Sequence, residues 1–170
     1  EDEGVLGVVG VAPWATLDFI RAFYELVPAE RDWHYPRVLA DLNAKIPSRG
    51  RHFELGERDP SPFIAATVGE LLDQGATTVV VPCNTAHILY PRWAAGYERH
   101  LLSIVDATVD AVCSSGARRV AVLSSRAVRS HRLYANALAA NGIGEYELAD
   151  ADLSIVLPVI DAVKRHGRVD

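Results

Sequence analysis

Cysteine is scarce in this chain: Cys83 and Cys113 are its two thiols, 30 positions apart in 170 residues. That count excludes a disulfide scaffold, and two isolated thiols do not make a zinc site. Basic charge is also short. The 17 Lys and Arg are outnumbered by 22 Asp and Glu, and the net charge of −5 argues against a nucleic-acid or other polyanion partner. Basic residues are scattered, with small local groupings such as Arg118-Arg119 and Arg126/Arg129/Arg132. No apolar run approaches the length of a membrane-spanning helix, and no leader is expected ahead of the first strand. A soluble, cytoplasmic protein with no membrane partner is therefore the expectation. Several signature motifs are missing too. The Gly7–Gly10 turn lacks GxGxxG spacing and no GK[ST] follows, so nucleotide binding is not supported. Neither a serine nucleophile elbow nor HExxH occurs.

What is present is a strict alternation of strand and helix patterns. Hydrophobic residues make up 49% of the chain, enough for one good core and the beginnings of a second lobe. Apolar runs at 5–10, 36–42, 76–81, 101–105 and 119–123 read as strands. Periodic stretches at 13–26, 60–73, 86–97 and 107–115, one after the 119–123 strand that ends at about 140, and 153–166 read as helices. Phe19, Phe23 and Leu26 share one side of the first helix, and Asn141-Gly142 stops the penultimate one. Such alternation with near-continuous apolar strands predicts an α/β fold built on parallel sheet with helices on both faces. Ligands bind at the carboxyl ends of such strands. The Gly7–Pro13 turn, Arg49 and Cys83 all fall at those ends. The polar, Arg/Lys-rich stretch 44–58 reads as a mobile or substrate-covering loop.

Val79-Val80-Val81-Pro82-Cys83-Asn84-Thr85-Ala86-His87 concentrates the chemistry. Pro82 cannot donate to a sheet ladder and ends the strand, while Asn84 and Thr85 are good caps for a helix. A thiol at that junction meets backbone N–H groups that favour thiolate, which makes Cys83 a candidate nucleophile or proton-transfer base. The alternative is a small buried hydrophobe. Asn84 and Thr85 can act only as caps, or can hold a substrate carboxylate as well. His87, one turn on, is either a partner for the thiol or structural. Arg49 suits bidentate binding of a carboxylate, against the alternative of a solvated loop charge. Cys113 shares a stripe with Val105, Val109 and Val112 and is expected in the core.

These pieces together resemble the aspartate/glutamate racemase superfamily, in its aspartate racemase branch. Gly7-Val8-Val9-Gly10-Val11-Ala12-Pro13-Trp14-Ala15-Thr16 is similar to the family's first glycine-rich motif, and Ile46-Pro47-Ser48-Arg49 to the stretch carrying a carboxylate-binding arginine. Pro82-Cys83-Asn84-Thr85-Ala86-His87 is the most specific match, and Val120 to Ser125 with Tyr134 resembles the start of a second lobe. The resemblance implies two lobes, each a small parallel sheet flanked by helices: 1–102 with the Cys83 motif, and 103–170 as the start of the second. It implies cofactor-independent racemisation of aspartate or glutamate by two thiols on opposite faces of the α-carbon, with no metal or pyridoxal group. Cys83 is then one acid/base, with Arg49, Asn84 and Thr85 as substrate holders. The second thiol is expected in a Gly-Cys-Thr-type motif beyond Asp170, a place Cys113 does not match. A homodimer is part of the same expectation. Two alternatives stay open: a one-cysteine isomerase or decarboxylase of a dicarboxylic acid, and a non-catalytic small-acid-binding member.

Overall fold

Four valines, Val8, Val9, Val79 and Val81, are sealed from solvent in the computed structural model, which describes residues 3–168. The outer ends of the two expected lobes, residues 1–2 and 169–170, lie outside the described residues. Successive burial of Val8 and Val9 means that both faces of this strand are covered, as parallel sheets require. Each such side chain contributes roughly 1.5–3 kcal/mol relative to an exposed one. The strands β1 (Leu6–Val9), β2 (Val38–Asp41), β3 (Thr78–Val80) and β4 (Leu101–Leu102) form one parallel sheet in the order β2-β1-β3-β4. Val8 pairs with Ala40 on one side and Val80 on the other. A second parallel sheet joins β5 (Arg119–Ala121) to β6 (Gly144–Tyr146). The expected fold class, α/β with two small parallel sheets flanked by helices, is the one observed.

The first sheet is flanked by α1 (Pro13–Leu26), α2 (Arg49–Leu55), α3 (Ser61–Asp73), α4 (Asn84–His87) and α5 (Tyr90–Trp93). Ile64, Val68 and Leu71 follow the helical period along α3 and pack on β1 with Val9, Val79 and Trp93. The second sheet is served by α6 (Ile104–Ser114), α7 (Arg126–Ser130) and α8 (Leu133–Ala140), while α9 (Asp150–His166) lies against α1. Val105, Val109, Val128, Tyr134, Leu138 and Ile143 form its core, and Ile88, from the segment after α4, packs against them. Ala86 belongs to the first core. The short α4 segment therefore joins the two cores. Among the described residues no helix is long and apolar enough to cross a membrane.

Several expectations are corrected. The stretch 44–58 is not a mobile loop, because it holds α2. Ser48 caps that helix by accepting from the Arg51 N–H, and Gly56 ends it in the left-handed region at φ 66°. The helix expected over 86–97 is broken into α4 and α5. Pro91 has no N–H to offer the His87 carbonyl, so the first turn cannot continue through it. β4 is shorter than 101–105, since Ser103 caps α6 with a bond from the Asp106 N–H at 3.2 Å. The helix expected to reach residue 140 is divided between α7 and α8 at Arg132, whose φ is 52°. β6 was not expected, and α9 starts at Asp150 rather than 153. Leu26 is 84% exposed rather than on a buried side of α1. Cys113 is exposed rather than in the core. At 3.6 residues per turn it lies about 80° around α6 from Val105, whereas Val109 and Val112 stay within about 40°.

Candidate active site

Parallel strands bring the loops after β1, β2 and β3 to one edge of the sheet. Gly10, just after β1, donates its N–H to the Asp41 carbonyl at 2.7 Å. A Cβ at Gly10 would sit 2.9 Å from that oxygen and from Leu42 Cα, so only glycine permits this approach. After β3 the chain turns on Pro82, with the Cys83 N–H donating to the Val81 carbonyl at 2.7 Å. Such an i→i+2 bond around a proline is a tight inverse turn, which swings Cys83 out of the strand. Cys83 is half-buried against the first core and immediately precedes α4. α4 is only one turn long, so no long helix points its dipole at the thiol.

Arg49 opens α2 and folds back toward the sheet. Its Nη2 donates to the Val11 carbonyl at 2.7 Å, and its Nη1 to those of Pro47 and Ile46 at 3.1 and 3.3 Å. Its Nε is buried with no partner. Of five guanidinium N–H groups, the main chain occupies three, leaving Nε–H and one Nη2–H. Arg49 is thus no solvated loop charge. α2 packs on both α4 and α7, and Phe53 meets the His131 ring at 4.4 Å between centroids.

His87 is buried, and both ring nitrogens are occupied. Nδ1–H donates to the Cys83 carbonyl at 2.9 Å, while Nε2 accepts from the Ile104 N–H at 3.4 Å. The ring stacks on Tyr90 and meets Trp93 edge-on. One donating and one accepting nitrogen define the neutral tautomer, and burial pushes the pKa below the ordinary 6.5. His87 therefore braces the backbone of Cys83 against the start of α6 and does not serve its thiol. Between 6.5 and the lowered folded value, the unfolded chain takes up a proton that the folded one refuses. The stability that this group contributes is then fully present above pH 6.5 and is lost as pH falls. His87→Asn should flatten that part of the profile. The check is the melting temperature of both proteins from about pH 7.5 to about pH 5. A difference between them that stays constant over this range would contradict a buried neutral ring.

Asn84 and Thr85 reach residues at and beside the second core. Asn84 Oδ1 accepts from the Tyr134 hydroxyl at 2.5 Å, and Thr85 Oγ1 lies 3.4 Å from Ser125 Oγ. Ser125 also caps α7. Tyr134 and Ser125 were not expected as site residues. Ser125 ahead of a helical run reads as a cap, but its pairing with Thr85 joins positions 40 apart and has no sequence signal. The structure thus brings Cys83, Asn84, Thr85, Tyr134 and Ser125 together around α4, with α2 and its Arg49 packed alongside. A separate hollow lies along α9, lined by Arg126, Leu157 and Arg165 and by none of these residues. Among the described residues, no group of three or more His, Cys, Asp or Glu side chains is placed to hold a metal ion.

A sequence model of the Asp/Glu/Hydantoin racemase family matches residues 7–169. Among solved structures, the chain is similar to the aspartate racemase of Picrophilus torridus, with 27% identity and a TM-score of 0.86 over 96% of this chain and 69% of that one. An aspartate racemase homologue from Pyrococcus horikoshii has 16% identity and a TM-score of 0.76, covering 98% of this chain and 74% of the other. A glutamate racemase from Francisella tularensis, in complex with D-glutamate, has 20% identity and a TM-score of 0.60, with 86% and 52% covered. The last two show likeness of fold alone.

Proposed function

This chain belongs to the Asp/Glu/Hydantoin racemase family and is a racemase-type isomerase, and from that premise we propose that it inverts the α-carbon of aspartate, or of glutamate, with Cys83 as one acid/base. The observation that carries the proposal is the buried Arg49 Nε without a partner, in a helix packed on the turn that follows Cys83. An unpaired donor on a buried charged group is costly, and a carboxylate oxygen is the acceptor that suits it best. A substrate carboxylate held there is anchored in the ground and transition states alike, which sets the α-carbon for proton transfer. The Cys83 thiolate takes the α-proton, and an acid on the opposite face returns one, so the net proton count on substrate is unchanged. Cys113, exposed on α6, is not that acid. The step is proposed to need no metal or organic cofactor.

The substrate's second acid group is proposed from the likeness to the Picrophilus torridus aspartate racemase. Two lobes, 1–102 and 103–170, with the site between them, form part of the same reading, supported by the contacts of His87 with Ile104 and of Asn84 with Tyr134. So does a homodimer, which sedimentation velocity checks. The deciding experiment is α-proton exchange in deuterated water with L- and D-aspartate and L- and D-glutamate. Exchange of both enantiomers of one acid supports the racemase. Exchange of only one enantiomer points to a one-thiol enzyme, and no exchange with any of the four sinks the proposal.

A further inference from the structure

Tyr134 is buried in the second core, yet its hydroxyl reaches the first lobe and meets Asn84. The contact is 2.5 Å, within the range of O–H···O bonds and short of N–H···O. Burial raises the phenol pKa above its usual value, against a smaller opposing effect of the Thr108 hydroxyl, so the phenol keeps its proton and is the donor. A primary amide is nearly symmetric in shape, and only its partners decide which end faces which way. With Oδ1 turned to Tyr134, the Nδ2 amine points away from the second core. Asn84 itself is exposed, next to Cys83, and the amine has no partner among the described residues.

We propose that Tyr134 is a positioning residue: its hydroxyl fixes the Asn84 amide so that two N–H donors, and not a carbonyl oxygen, face a substrate carboxylate at Cys83. The inference rests on the reading of Cys83 and Asn84 given above. A flipped amide would set a lone pair against the developing enolate, whereas the fixed one offers a donor that strengthens as charge builds. The effect therefore belongs mainly in kcat.

The test is Tyr134→Phe, which keeps the ring in the core and removes only the hydroxyl, measured beside Asn84→Ala and the double variant. Racemisation kinetics and thermal unfolding are followed for each. Tyr134→Phe is expected to lower kcat about tenfold with KM little changed, a milder loss than outright removal of an oriented donor. The double variant should be no slower than Asn84→Ala alone, because Tyr134 acts through Asn84. Full activity in Tyr134→Phe, or losses that multiply in the double variant, would overturn the proposal while leaving Asn84 in its role. An Asn84→Ala variant with wild-type kinetics would instead overturn the reading of Asn84, and the inference with it. Should Tyr134→Phe fold poorly, Asn84→Asp decides. It keeps the acceptor for Tyr134 and loses the amine, so it should be as slow as Asn84→Ala, and wild-type activity in it would equally overturn the proposal.

Discussion

Cys83→Ser should lower kcat for racemisation by about 10³-fold, within the range that a positioned acid/base contributes. Serine has nearly the same shape, so the turn on Pro82 and the contact of position 83 with the first core are retained. What changes is acidity: a hydroxyl stays protonated at neutral pH and cannot take the α-proton. Stability should be almost unaffected, which separates lost chemistry from lost structure. Cys113→Ser is the matched control, and because that side chain is exposed on α6, its kinetics should equal wild type. Iodoacetamide should inactivate the wild type and the Cys113→Ser variant alike, with substrate protecting both. A Cys83→Ser enzyme that racemises at the wild-type rate would remove Cys83 from the mechanism.

The second large effect belongs to Arg49. Arg49→Lys should lower kcat/KM by about 10- to 100-fold, mostly through KM, since a hydrogen bond to a charged group contributes about 1.5–3 kcal/mol and each 1.36 kcal/mol is tenfold. Lysine keeps the charge but not the fork. It cannot hold the carbonyls of Val11, Pro47 and Ile46 and at the same time present an Nε-type donor to a carboxylate. Arg49→Ala should add a clear loss of melting temperature, because those three carbonyls lose their donor together. Steady-state kinetics on the lysine variant and thermal melts on both separate binding from bracing. If Arg49→Lys left KM unchanged, the carboxylate role would fall and bracing alone would remain.

Much of the scaffold is legible in residues that act locally. Apolar runs mark β1 and β3, Pro82 marks where β3 must end, and Asn141-Gly142 marks the end of α8. α2 was missed although both of its caps, Ser48 and Gly56, stand in the sequence, because charge and polarity suggested a loop. The division of the 86–97 helix was missed although Pro91 was visible. In each case a local signal, a cap or a proline, outweighs average composition in setting the element. Cys113 is different. Its apolar stripe is real, but whether the edge of a stripe is covered depends on which helices pack against it.

The sequence by itself determined the parallel α/β scaffold, the position of Cys83 at the strand-to-turn junction and the nearness of Asn84 and Thr85 to it. These follow from propensities and spacings that act over a few residues. Only the tertiary structure decided what those groups face. His87 turns to the Cys83 carbonyl and Ile104, Arg49 to the loop after β1, and Asn84 to a phenol 50 residues away. The physical reason is that a side-chain hydrogen bond is satisfied by whichever donor or acceptor packing brings within about 3 Å, and packing joins residues that no local rule relates.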